Sequence, residues 1–173
     1  MTAVYWEPGT EPVRLLVRHA DAGSRRTWAG RDSWRHLSVR GREQALHLVT
    51  RLQEVPVRRL LSAPSQRCRR TIAPLARALS LDIEICPLLR IDAEPAALAR
   101  YLRRPETRNA LLCTHRETLL ALFTLYAATG SRYIDGIAPM DMAAAWALHG
   151  GEDGPPRIRY LRPDAVLAGK AMP

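Results

Sequence analysis

The chain has 173 residues, 47% hydrophobic and 25% charged, which suits one globular domain with a real core and excludes a disordered or fibrous chain. Its formal charge is +9, and every basic residue except Lys170 is an arginine. Spread along the whole chain without a recognisable nucleic-acid-binding module, these arginines point to anionic ligands in general and not to nucleic acid as the main partner. No apolar run approaches the roughly 20 residues of a membrane span. The opening "MTAVYWEPG" lacks the basic and then apolar order of a signal peptide. Cys68, Cys86 and Cys113 show no metal-ligand or CxxC spacing, so no disulfide framework is expected and a reducing, cytoplasmic compartment is the expectation.

In chain order, residues 1–12 carry Pro8, Gly9 and Pro12 and read as an irregular lead-in. "VRLLV" (13–17) is a short buried strand, ending at Arg18 and His19. Residues 20–37 form a long polar loop with Arg25, Arg26, Arg31, Arg35, Trp28 and Trp34, and loops of that length are usually functional or disordered. Ser38 is the expected N-cap of a helix whose apolar stripe is Ala45, Leu48, Val49 and Leu52. "RRLLS" (58–62) is a second strand, and "SAPS" opens a helix with its stripe at Ile72, Leu75, Ala76 and Leu79, kinked or broken at Pro74. "DIEIC" (82–86) is a third strand, a helix follows around 95–103, and "ALLCT" (110–114) is a fourth strand. A helix over 116–128 turns Leu119, Leu122, Phe123 and Tyr126 inward, and "MAAAWALHG" with "RIRYLRP" suggests an antiparallel pair around a turn-rich linker. Alternating strands and helices predict a single three-layer α/β/α domain over 13–165, with a mainly parallel sheet, an antiparallel C-terminal edge and a tail at 166–173.

The polar residues gather at strand ends. The first strand ends in Arg18 and His19, the second at Ser62 with Arg67 five residues on, and the fourth in Thr114 and His115. Ligands of open parallel sheets bind outside the carboxyl ends of the strands. Two histidines and two arginines there suit a tetrahedral oxyanion, because arginine donates in pairs and a neutral imidazole is a competent nucleophile. No GxxxxGK[ST] nucleotide loop is present. His19–Asp21 is poor metal spacing, so neither metal nor other cofactor is expected.

At these residues the chain resembles a known family. "VRHADAG" (17–23), "LSVRGREQA" (37–45), "LLSAPSQRCRRTIAPLA" (60–76) and "CTHRE" (113–117) are similar, in order, to the four signature segments of the histidine phosphatase, or phosphoglycerate mutase-like, superfamily. The short chain is most similar to its small SixA-like phosphohistidine phosphatases, and also to the phosphatase-like domain that follows a Nudix domain in some bacterial nucleotide hydrolases. The resemblance implies that His19 is a nucleophile forming phosphohistidine, with Arg18, Arg67 and His115 binding the phosphoryl group. It implies a metal-independent phosphatase acting on a phosphomonoester or phosphohistidine, its substrate a phosphorylated small molecule, a nucleotide or a phosphoprotein. The alternative is a weakly active or inactive phosphate- or nucleotide-binding regulatory domain. Ala20 stands where the family has a glycine, Arg116 and Glu117 follow the second histidine, and Asp92 and Glu94 are the candidate general acids. Asp21 is expected to cap its turn, and Cys113 to be a small buried hydrophobe.

Overall fold

The computed structural model describes residues 13–52, 55–133 and 140–161; the lead-in at 1–12 and the tail at 166–173 lie outside them. Seven strands form one sheet: β1 (Val13–Arg18), β2 (Arg59–Ser62), β3 (Ile83–Ile85), β4 (Ala110–Thr114), β5 (Arg132–Tyr133), β6 (Ala145–His149) and β7 (Arg157–Leu161). Four α-helices accompany them: α1 (Val39–Leu52), α2 (Gln66–Leu79), α3 (Pro95–Leu102) and α4 (Arg116–Ala128). The order across the sheet is β3-β2-β4-β1-β6-β7-β5.

That order and the handedness of βαβ crossovers place the helices. The steps β1→β2→β3 move one way across the sheet, and β3→β4→β5 move back. Right-handed crossovers therefore put α1 and α2 on one face, and α3 and α4 on the other. The packing agrees, since α1 lies on α2 and α3 on α4. β6 alone runs against its neighbours, β1 and β7, and β5 adds a short outermost strand that the sequence pattern does not announce.

The interior is fed by the runs predicted to be buried. Leu15, Leu16 and Val17 lie within the sheet beside Leu111, Leu112 and Cys113 of β4. Ala45, Leu48 and Leu52 of α1, and Ile72, Leu75 and Ala76 of α2, are buried in the same cluster. Pro74 does not break α2, which runs unbroken to Leu79; the tight packing of its apolar stripe outweighs the missing N–H. Arg14 is the exception in β1, a buried arginine neutralised by Glu152 at 3.1 Å and bonded to Thr107 Oγ1 at 2.8 Å. It lies at the end of β1 opposite His19.

Candidate active site

β1 and β4 are neighbours, and the chain leaves them toward opposite faces of the sheet, through α1 and α4. Such a switch point opens a crevice at the carboxyl ends of the two strands. His19 and His115 stand there, each just past its strand. The His19 N–H bonds Thr114 O at 2.9 Å, continuing the ladder by one residue, and the two imidazoles meet edge to face with centroids 5.4 Å apart. The helices α2 and α4 start at this edge, so two positive helix ends face the crevice.

The His19 tautomer follows from its partners. Nδ1 lies 2.8 Å from Ala20 O, and a carbonyl only accepts, so Nδ1 carries the proton and Nε2 keeps its lone pair. Burial lowers the His19 pKa to about 4, assisted by His115 and Arg67 and opposed by Cys68 and the Ala20 carbonyl. The imidazole is therefore neutral over the physiological range. At His115, Arg67 Nη2 approaches Nδ1 at 3.3 Å; arginine only donates, so the proton sits on Nε2 and points to Ser65 Oγ, also 3.3 Å away. Ser65 precedes α2 without capping it through its side chain, because its hydroxyl turns to His115 instead. Cys68 Sγ lies 3.7 Å from His115 Nε2.

Arg18 and Arg67 flank the histidines. Arg67 is 3% exposed, and Arg18 is half-buried and donates through Nη1 to Met140 O. Burial, and then Arg116, lowers the Arg18 pKa, while Glu117 and Asp141 oppose this. The two residues after His115 thus set the charge around Arg18. Among the described residues three buried side-chain polar atoms lack a partner, and two of them are Arg18 Nε and Arg67 Nε. Unpaired buried N–H groups are costly, so these two are exceptions that call for a reason.

The loop after His19 is held from three sides. Thr71 Oγ1 accepts the Ala20 N–H at 2.9 Å and donates to Arg67 O at 2.6 Å, joining the turn after His19 to the helix that carries Arg67. Gln44 Oε1 accepts the Asp21 N–H at 2.8 Å, and Ser38 Oγ donates to Asp21 Oδ2 at 2.6 Å while accepting the Gly41 N–H at 3.0 Å. Ser38 is thus the expected cap of α1, and Asp21 caps its own turn through Gly23 N. Ala20 is fully buried and belongs to the core cluster.

Asp32 is the residue that the sequence reading missed. It lies mid-loop, 2.9 Å from Arg67 Nη2 and 3.1 Å from Arg35 Nε, and these cations hold its pKa below the usual value against an opposing burial effect. No spacing in the sequence couples residue 32 to residue 67. Asp92 and Glu94 stand apart: both are exposed, paired with Arg90 at 2.7 Å and Arg100 at 3.6 Å respectively. Their segment still borders the site, because Thr114 Oγ1 donates to Leu89 O and Thr118 Oγ1 to Arg90 O. Beside Arg18 opens a cavity of about 430 Å³, bordered by Arg40, Gln44, Met140 and Asp141 among others. No group of metal-binding side chains is found among the described residues, and no described helix is long and apolar enough to cross a membrane.

A sheet edge that carries two histidines and two arginines is a cationic site with the chemistry to meet an anionic ligand. The comparisons place it further. Residues 15–90 match the model of the histidine phosphatase superfamily (branch 1). An 8-oxo-(d)GTP phosphatase of Mycolicibacterium smegmatis is 38% identical over 115 residues, 62% of this chain and 35% of the relative. The chain thus spans about a third of that relative's length. The protein histidine phosphatase SixA complexed with tungstate superposes with a TM-score of 0.69 at 22% identity, covering 87% of this chain and 97% of SixA. A mycobacterial glucosyl-3-phosphoglycerate phosphatase superposes with a TM-score of 0.63 at 16% identity, covering 87% and 97% of the two chains. These structures establish the shared three-layer fold.

Proposed function

We propose that the protein is a phosphatase that needs no metal and works through a phosphohistidine on His19. The observation that carries this is the neutral His19 with Nε2 free, beside two buried guanidinium N–H groups without acceptors. Nε2 attacks the phosphorus, forming an N–P bond as the bond to the leaving oxygen breaks. Arg18, Arg67 and His115 hold the three remaining oxygens and the charge that they gather in the transition state. Water then attacks the phosphorus, the N–P bond breaks, and inorganic phosphate leaves His19 neutral again.

An aryl leaving group departs without an acid. For an alkyl phosphate, Asp92 and Glu94 are the candidate proton donors, each after leaving its arginine. The substrate class best supported is a phosphorylated nucleotide or another small phosphate ester. The 38% identity to a nucleotide phosphatase favours this, and so does the cavity beside Arg18, where cationic, carboxylate, amide and thioether side chains offer room for a nucleoside.

Hydrolysis of p-nitrophenyl phosphate in EDTA tests the reaction, and a panel of nucleoside mono-, di- and triphosphates tests the substrate class. Turnover that EDTA abolishes and a divalent metal restores would sink the metal-free mechanism.

A further inference from the structure

The five N–H donors of Arg67 are unequally used. Nη1 donates to Asp32 O at 2.7 Å, Nη2 pairs with Asp32 Oδ2 at 2.9 Å and approaches His115 Nδ1 at 3.3 Å, while Nε–H has no partner. Asp32 therefore takes the Nη atoms of the guanidinium, one of which also meets His115, and leaves the buried Nε–H without a partner. Its second carboxylate oxygen holds Arg35 Nε at 3.1 Å, and Arg35 Nη1 returns to Gly23 O at 2.7 Å and Ala22 O at 3.2 Å. These are the residues that follow the nucleophile's turn. Asp32 thus ties the loop after His19 to the arginine opposite it, and the charge pair is largely shielded, with Arg67 3% and Asp32 27% exposed.

A carboxylate on a phosphate-binding arginine has two readings. It can occupy the place of the phosphate and be displaced, or it can brace the arginine from behind while phosphate binds elsewhere on the fork. The donor count favours the second, because Asp32 holds Nη1 and Nη2 while Nε–H keeps a buried donor for an acceptor from outside. We propose that Asp32 is a positioning residue that braces Arg67, so that its Nε edge is pre-set for a phosphoryl oxygen. The proposal rests on the phosphate-site reading above, but not on turnover. A guanidinium held in advance loses less rotamer freedom when the anion arrives.

Calorimetric titration with inorganic phosphate tests this on the full chain. Asp32→Ala should weaken phosphate binding about tenfold, the usual scale for freeing one partner of a shielded charge-assisted bond. Asp32→Asn, which keeps an acceptor, should recover to within about threefold of the wild type. In an Arg67→Lys background, Asp32→Ala should add less than about threefold, because the brace acts only through the guanidinium. Should the alanine variant unfold, Asp32→Leu replaces it with similar volume and no acceptor. Unchanged affinity, full additivity with Arg67→Lys, or no phosphate binding by the wild type overturns the proposal. Tighter binding in Asp32→Ala overturns it in favour of a displaced placeholder. A protein that shows the predicted coupling but hydrolyses nothing loses only the reading as a phosphatase.

Discussion

Gly41 lies so close to Asp21 that a β-carbon on it would stand 1.9 Å from the Asp21 carbonyl oxygen. The first turn of α1 is thereby pressed against the loop that leaves His19, and Ser38 and Gln44 bond Asp21 from the same helix. Gly41→Ala should destabilise the protein by at least about 2 kcal/mol, since backbone and not a yielding side chain is in the way. It should also lower kcat through displacement of His19. Thermal unfolding together with steady-state kinetics checks both, and a Gly41→Ala protein of unchanged Tm would contradict this packing.

His19→Ala should abolish turnover, because no other described side chain presents a free imidazole nitrogen between the two arginines. Rapid acid quench of the wild type with labelled substrate should trap an acid-labile phosphate on His19. Residual activity near the wild-type level would end the phosphohistidine mechanism.

Arg67→Lys keeps the charge but replaces a planar fork with a point donor. A loss of about 1.5–3 kcal/mol in transition-state stabilisation is expected, read as kcat/KM. Unchanged kinetics would place Arg67 outside the reaction.

The His19 pKa of about 4, against 6.5 for an ordinary histidine, sets two pH dependences. The nucleophile stays neutral until pH 4, so its acid limb in kcat/KM should fall near 4 and not near 6.5. Between those values the unfolded chain takes up a proton at residue 19 that the folded chain refuses. The stabilising contribution is therefore complete above pH 6.5 and is lost as the pH falls toward 4, to the extent of about 3 kcal/mol. The difference in unfolding free energy between wild type and His19→Asn, followed from pH 7 to 4, isolates this contribution.

The loop arginines divide into two groups. Arg35 is engaged with Asp32, Ala22 and Gly23, whereas Arg26 and Trp34 are exposed, and Arg25, also exposed, stands 3.9 Å from Asp32. Arg25→Ala with Arg26→Ala should raise KM for a polyanionic substrate and spare p-nitrophenyl phosphate. Equal effects on both substrates would reduce the loop to a cover.

Strand and helix placement was legible because burial writes a period into the chain. "VRLLV" and "ALLCT" are continuous apolar runs of a sheet covered on both faces, and Leu119, Leu122, Phe123 and Tyr126 keep helical spacing. That His19 and His115 come together was legible because a parallel sheet delivers strand ends to one edge whatever the chain order. The short β5 went unseen, since two residues carry no period. The Asp32–Arg67 pair and the proton positions on His19 and His115 depend on groups that approach only after the loop closes over α2 and the strands align. Side-chain chemistry and period are local and so belong to the sequence; which carboxylate meets which arginine, and which nitrogen keeps its lone pair, are settled by three-dimensional contact alone.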